Sequence, residues 1–460
     1  MRMRWAIAIG LLGVVLAVVS ALGNAQNFSV LYNFGSMSGD PVNPQGQLIA
    51  QGLDGNLYST TESGGTNGNG TVFAVSPDGV LRVIYGSFDI GTTGGLPTGG
   101  LTLGTDGNFY GVNQAGGNIG YGTIFKITTD GTLTILHNFG GKDGATPFAP
   151  PIQGRDGNFY GTTWRGGKGH GVVYRLTSAG KFAVLHRFNE TDGAGPIAAL
   201  IQASDRSFYG TTLGGGTYGD GTVFTMTGGG KFSTVYMFDG PTGIEPSTQL
   251  VEGKDGFYGT TISGGTYGLG EVFKVTSAGQ ITVIYSFVGG NSGDGRDPEG
   301  GLLLTPQGGV YGTTYQGGKD KDGTIYRISA AGVYHTIHQF NGKSGSGPGA
   351  TLAQHTTGLI YGDTFVGGTP GRGVFYGLNA GLKPFVKLLT YSGKHGQTVG
   401  ILGQGFTGAT AVSFNGTPAS FNVISDTYMT ATVPKMATTG VVKVTTASGT
   451  LKSHKNFVII

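Results

Sequence analysis

The sequence predicts an all-β protein: a seven-bladed β-propeller of four-stranded blades, closed by its own N-terminal strand and followed by an immunoglobulin-like β-sandwich. Three observations carry this. A Tyr-centred unit recurs seven times, with Tyr58, Tyr110, Tyr160, Tyr209, Tyr258, Tyr311 and Tyr361 spaced by 52, 50, 49, 49, 53 and 50 residues. Gly makes up 93 of 460 residues and charged residues only 12%, while Thr, Val, Tyr and Phe abound, which suits short strands joined by tight turns rather than disordered chain. A strand-like segment stands alone before the first unit, and the last unit lacks its fourth strand.

Each unit divides into four apolar runs. The first resembles "AALIQ", Ala198 to Gln202. A turn follows, commonly Asp-Gly-Asn as at Asp54-Gly55-Asn56, Asp106-Gly107-Asn108 and Asp156-Gly157-Asn158; the polar side chains bond their own backbone and Gly supplies positive φ. The second run is "FYGTT". A Gly-Gly loop leads to the third, as at Thr71-Val72-Phe73, Thr123-Ile124-Phe125 and Thr222-Val223-Phe224. A short turn such as Ser178-Ala179-Gly180 leads to the fourth, as in Ile281 to Phe287. Runs apolar on both faces suit sheets packed between two neighbours. A fixed period of this size marks a repeat architecture and matches kelch-type blades.

The chain ends distinguish a ring from an open stack. The last unit stops after Val374-Phe375-Tyr376, while the orphan "FSVLYNF", Phe28 to Phe34, reads like the fourth run "LTILHNF", Leu133 to Phe139. The orphan can complete the last blade, and closure protects sheet edges that a stack would leave open.

Residues 1–25 predict an export signal: Arg2 and Arg4, an apolar run from Ala6 to Gly23, then Gly23 and Ala25 at the −3 and −1 positions of a cleavage site before Gln26. An uncleaved anchor is the alternative. The predicted domains are then a propeller over 26–381 and a sandwich over 382–460. No membrane insertion is expected after signal removal. The absence of Cys excludes disulfides, thiolate zinc sites and a Cys nucleophile. A net charge of +3 without a basic stripe leaves no footprint for nucleic acid.

The period stops near Ala380, and short alternating strands fill the remaining segment. Ser392-Gly393, Gly396, Val399 to Gly405 with Phe406, Phe414-Asn415-Gly416, Val433-Pro434, Gly440 and Phe457 resemble the IPT/TIG immunoglobulin-like domain. One departure is Tyr391, where Pro is common, which loosens a turn. The resemblance implies an accessory binding or spacing module of extracellular and surface proteins. The seven units resemble the GloVer-type tandem repeats of exported bacterial proteins, on "DGNFYGTT", on Gly265 to Thr276 ("GTYGLGEVFKVT") and on Ile281 to Phe287. That resemblance covers residues 28–381 and implies bacterial origin and secretion, with no chemistry to carry over. Kelch is the more distant analogy.

Most polar residues belong to repeat columns. His137, His186 and His338 share a fourth-run column with Tyr32, Tyr85, Tyr236 and Tyr285, so the position is one of ring packing with a polar tip. Asp54, Asp106, Asp156, Asp205 and Asp255 share another; five copies cannot supply the asymmetric acid–base pair a reaction needs. Lys319-Asp320-Lys321-Asp322-Gly323 alternates Asp with Lys and is a poor calcium loop. The Gly-Gly loops lack the helix N-terminus of a phosphate cradle. No cofactor, metal site or catalytic residue is predicted.

One column differs. The residue before the last Gly of each Gly-Gly loop is Asn69, Tyr121, His170, Asp220, Leu269, Asp322 and Arg372. It changes from each unit to the next, at the same end as the length-variable connections between units. Variable loops on a rigid scaffold are where binding concentrates, although drift of a solvent-facing loop would look the same. The candidate ligand-binding residues are Trp164, Arg165, Lys168, His170, Tyr121, Tyr218, Asp220, Tyr267, Asp322 and Arg372. The expected function is a secreted or cell-surface, non-enzymatic binding or adhesion protein whose loop face takes an extracellular glycan or protein. The alternatives are a polysaccharide-active enzyme, a lyase or glycosidase using off-column acids such as Glu299 or Asp363, and a purely structural envelope protein. The sequence says nothing of oligomeric state.

Overall fold

A computed structural model describes residues 27–289, 293–306 and 308–460. The predicted export signal lies outside the described residues. Among these residues the chain is all-β; the helical turn described is the 3-10 segment Phe406–Gly408.

Seven four-stranded antiparallel sheets precede the C-terminal region. The third is representative: Ile152–Gln153, Phe159–Thr163, Val172–Leu176 and Phe182–Arg187, paired in that order. The predicted second, third and fourth runs match strands. The first runs do not: where "AALIQ" predicts five residues, the strand is Ile201–Gln202. The preceding backbone bonds sideways instead. Leu48 N donates to Gly99 O, Leu101 N to Leu48 O and Thr351 N to Gln47 O, so the innermost segments of neighbouring sheets satisfy each other. The Gln47 side chain reaches from the first unit to Ile197 O of the fourth, at 3.2 Å.

The seventh sheet takes Ala353–Gln354, Ile360–Thr364 and Val374–Asn379 from the end of the repeats and Asn27–Asn33 from their start. The early strand copies a fourth strand in detail. Every third-to-fourth-strand pair slips by one residue, as between Val173 and Tyr174, and the Asn27–Asn33 pairing slips between Val30 and Tyr32.

Successive sheets pack face to face through buried aromatic and branched side chains. Tyr110, Val112, Phe159 and Tyr174 join the second sheet to the third; Tyr160, Val173, Phe208 and Phe224 join the third to the fourth. The series returns to its beginning, because Phe34, Tyr361 and Phe375 of the seventh sheet form one core with Leu57, Phe73 and Val75 of the first. The repeated Tyr stacks on the next sheet: Tyr58 on Phe109, Tyr110 on Phe159, Tyr160 on Phe208 and Tyr209 on Phe257, at 3.8–4.1 Å between centroids. Its hydroxyl donates to the turn Asp four residues back, at 2.8 Å for Tyr58–Asp54 and 2.9 Å for Tyr110–Asp106. The Asp column therefore holds a buried phenol as well as a turn.

The C-terminal region forms two further four-stranded sheets, one around Thr398–Leu402 and Tyr428–Thr432, the other around Ala411–Phe414 and Val442–Thr446. Val399, Ile401, Phe406, Phe414, Val442 and Phe457 fill the core between them, and Tyr391 packs against it. This region grips the first and seventh sheets at once. Thr427 Oγ1 donates to Leu53 O at 2.7 Å, and Gln404 Nε2 to Thr356 Oγ1 at 2.9 Å. Leu53 and Thr356 lie in turns between first and second strands, so the contact is at the end of the sheets opposite the Gly-Gly loops.

Candidate functional site

Two loops per sheet share the other end: the Gly-Gly loop and the connection to the next sheet. Their joint is uniform. Asn43, Leu96, Thr146, Gly195, Glu245, Asp297 and Gly347 all have φ between 55° and 68° or are glycines at that angle. Each precedes a proline, Pro44, Pro97, Pro147, Pro196, Pro246, Pro298 and Pro348. Each donates its N–H to the carbonyl of the variable residue in the Gly-Gly loop: Asn43 to Arg372, Leu96 to Asn69, Thr146 to Tyr121, Gly195 to His170, Glu245 to Asp220, Asp297 to Leu269 and Gly347 to Asp322, at 2.9–3.2 Å. The loop's last glycine must stay bare, since a Cβ on Gly171 would fall 2.8 Å from Pro196 Cδ and 2.2 Å from Thr163 O. The variable residue thus serves the repeat through its backbone, which frees its side chain to differ. Sequence reasoning missed this joint, although a proline recurs in every unit.

The ten candidates share this end of the sheets, but the structure brings only three together. Trp164, Arg165 and His170 line one open pocket of about 280 Å³ with Gly169, Ala194, Gly195, Leu213 and Gly214. The joint positions them: Trp164 N donates to Thr146 O at 3.1 Å, and Arg165 exchanges backbone hydrogen bonds with Ala145. The indole meets Phe148 edge-on, centroids 5.5 Å apart, and the Arg165 guanidinium lies 4.0 Å above the indole. No carboxylate pairs with Arg165 among the described residues.

The others point elsewhere. Tyr121, Asp220, Asp322 and Arg372 turn onto Gly141, Gly240, Gly342 and Gly35 of their own sheets' outgoing connections. Asp322 also accepts a hydrogen bond from Ser346 Oγ at 2.7 Å. Tyr218 and Tyr267 are 64% and 56% exposed, on the rim beside fourth-strand Tyr236 and Tyr285. Lys168 is exposed, and its charge bears on His186.

The histidine column packs. His137 stacks on Phe182 and His186 on Phe232, both at 3.7 Å and nearly parallel. Their Nε2 atoms meet Asp143 and Asp192 at 2.9 and 3.1 Å, as Tyr32 and Tyr285 meet Asp40 and Asp294. Burial lowers the pKa of both histidines although these aspartates favour the charged form.

Two acids are unusual. Asp363 replaces the Thr of Thr162, Thr211, Thr260 and Thr313; it is fully buried, neither carboxyl oxygen has a hydrogen-bond partner among the described residues, and burial pushes its pKa up to about 8. Glu299 is exposed as a residue, while partial withdrawal of its carboxyl from water, together with the Asp297 charge, pushes it up to about 7. Tyr315 lies beside it, with its N–H donating to Asp297 O at 2.8 Å. Among the described residues no group of three or more His, Cys, Asp or Glu could hold a metal ion.

These features define an all-β tandem-repeat protein with a C-terminal immunoglobulin-like domain. The chain belongs to the Gloeobacter/Verrucomicrobia repeat family, whose model matches residues 13–170 and 149–376, and residues 384–459 match the IPT/TIG domain. No curated protein matches the chain. Among solved structures it is similar to a gluconolactonase from Xanthomonas campestris, at 14% identity over 59% of this chain and 81% of that one, TM-score 0.38. It is also similar to the extracellular domain of a candidate hybrid two-component system from B. thetaiotaomicron, at 12% identity over 83% of this chain and 46% of that one, TM-score 0.47. A third is a candidate 6-phosphogluconolactonase from Bacteroides uniformis, at 14% identity over 67% and 89%, TM-score 0.45. No helix among the described residues is long and apolar enough to cross a membrane.

Proposed function

We propose that residues 26–381 are a closed seven-bladed propeller, that residues 382–460 are an accessory immunoglobulin-like domain, and that the protein is secreted or held at the cell surface, where its Gly-Gly-loop face binds an extracellular glycan or protein without catalysis. The seventh sheet's mixed origin and its shared core with the first sheet support the ring. The observation that carries binding is the pocket holding Trp164, Arg165 and His170, an aromatic and a cationic side chain set side by side on a rigid backbone joint. Attachment of the C-terminal domain at the opposite end of the sheets leaves this face open.

The test is a glycan and protein array probed with the full chain and with Trp164→Ala, Tyr218→Ala and Tyr267→Ala. Binding lost in Trp164→Ala and kept in the two rim variants supports the pocket. Binding unchanged in all three removes this face from the proposal.

Glu299 favours a second reading, a polysaccharide-active enzyme, because a carboxyl with a pKa near 7 beside Asp297 and Tyr315 suits a general acid. Assay of polysaccharide cleavage by the full chain and by Glu299→Gln decides it: cleavage abolished by the variant establishes the enzyme, and no cleavage by the unaltered chain rejects it.

A further inference from the structure

The pocket's chemistry narrows its ligand, on the reading that this pocket is the binding site. A bare indole face would suit stacking on a neutral sugar ring, but here a cation already lies against the indole. The guanidinium of Arg165 lies over it at 4.0 Å, and Phe148 closes on its edge. What Trp164 presents toward the ligand is a planar cation with an aromatic backing. A guanidinium held against an aromatic ring by its carbon can still offer N–H groups, and a carboxylate is the partner that takes two of them in parallel hydrogen bonds.

The charges around it agree. Arg165 has no ion-pair partner among the described residues. His170 lines the same pocket, and Lys168, two residues before it, is exposed. Of the two acids in the same unit's connection, Asp192 is engaged by His186 at 3.1 Å and Glu190 forms no ion pair with Arg165. The remaining wall is Leu213, Ala194 and glycine backbone, which suits the apolar face of a small ring. A volume near 280 Å³ is at the small end of ligand sites, room for one sugar unit rather than a folded partner.

We infer that this pocket binds a uronic-acid unit of an acidic polysaccharide, its carboxylate on the Arg165 guanidinium and its ring against Leu213 and Ala194. His170 adds a donor to the ring oxygens.

The experiment is calorimetric titration of the full chain with an oligogalacturonate, its methyl ester, a sulfated galactan oligomer and an oligoglutamate, at low and high salt. The expected result is binding of the oligogalacturonate, at least tenfold weaker for the ester, and weakened by salt. Arg165→Ala should lose tenfold or more with an unchanged melting temperature; Arg165→Lys, which keeps the charge but not the fork, should recover part of it. Equal binding of acid and ester, or full binding by Arg165→Ala, overturns the carboxylate assignment while leaving a glycan site. Preference for the sulfated oligomer or the oligoglutamate overturns it in favour of sulfate or an acidic protein segment. No binding of any of the four overturns it as well. The underlying reading fails separately, when array ligands of the full chain are all indifferent to Trp164→Ala.

Discussion

The imidazole of His338 lies flat on the phenyl ring of Phe28, centroids 3.7 Å apart and planes 6° apart. One residue is in the sixth sheet and the other in the first strand of the described chain. The same stack joins His137 to Phe182 and His186 to Phe232 between sheets that are neighbours in sequence. Phe28 therefore occupies, in the seventh sheet, the fourth-strand place that Phe182 and Phe232 hold in the third and fourth.

This stack makes stability depend on acid. Burial depresses His338 to about 4, below its ordinary value of 6.5, and its Nε2 meets the neutral Ser344 Oγ at 3.4 Å. The unfolded chain binds a proton between these two values that the folded chain refuses, so stability is present above pH 6.5 and lost as pH falls toward 4. Burial depresses His137 and His186 in the same direction. His338→Tyr, matching Tyr236 and Tyr285, should retain stability on the order of 2 kcal/mol at pH 4.5 that the unaltered chain loses. Denaturant melts at pH 4.5 and 7.5 measure it; equal losses in both proteins refute it.

Asp363 gives the opposite slope. Its carboxyl stays protonated in the fold up to about pH 8 but ionises near 3.8 when unfolded. Unfolding therefore releases a proton across that window, and this contribution falls as pH rises from 4 to 8. Asp363→Thr restores the residue of most other units and removes two unpartnered oxygens. It should gain about 1–3 kcal/mol at pH 7.5 and flatten the slope, read from denaturant midpoints across pH.

The phenol–carboxylate pair can be separated from the turn. Asp106→Ala leaves the buried Tyr110 hydroxyl without its acceptor and costs about 1–3 kcal/mol, while Tyr110→Phe costs about 0.5–1.5 kcal/mol. The double variant should lose less than the sum of the two. Additive losses in a denaturation cycle would reduce the Asp column to turns alone.

At the joint beneath the pocket, Thr146 holds φ 55°, costly for a β-branched residue. The equivalent Gly195 and Gly347 hold 68° and 67° without strain. Thr146→Gly should raise stability by about 1 kcal/mol and leave ligand affinity intact, since the residue acts through N–H and C=O. A fall in melting temperature contradicts this.

The repeat, its four strands and the early strand's destination were legible because each rests on a local pattern: Tyr-Gly at fixed spacing, Asp-Gly-Asn turns, and an orphan run that matches Leu133 to Phe139. The pocket was legible only in part. Trp164, Arg165 and His170 stand within seven residues, so the sequence shows them as neighbours. Tyr121, Asp220, Asp322 and Arg372 look equivalent to His170 in alignment, but their side chains lie against Gly141, Gly240, Gly342 and Gly35 of their own sheets' outgoing connections, neighbours that the local sequence does not show. The proline joint was visible as Pro44, Pro97, Pro147 and their successors. It was obscured because the left-handed residue before each proline varies: Asn43, Gly195, Asp297 and Gly347 favour positive φ, but Leu96, Thr146 and Glu245 do not, so the column carries no uniform signal. The long first runs misled for a related reason: their residues are apolar like a strand, but their hydrogen bonds run to neighbouring sheets.

The ring itself can be tested covalently. Asn27 and Asn379 are exposed and directly opposite each other in the seventh sheet, and the chain has no Cys of its own. Asn27→Cys with Asn379→Cys places two thiols at a spacing a disulfide can bridge. Closure predicts that mild oxidation gives a single intramolecular link in peptide mass mapping, with a raised melting temperature. Free thiols or intermolecular dimers under the same oxidation would contradict it.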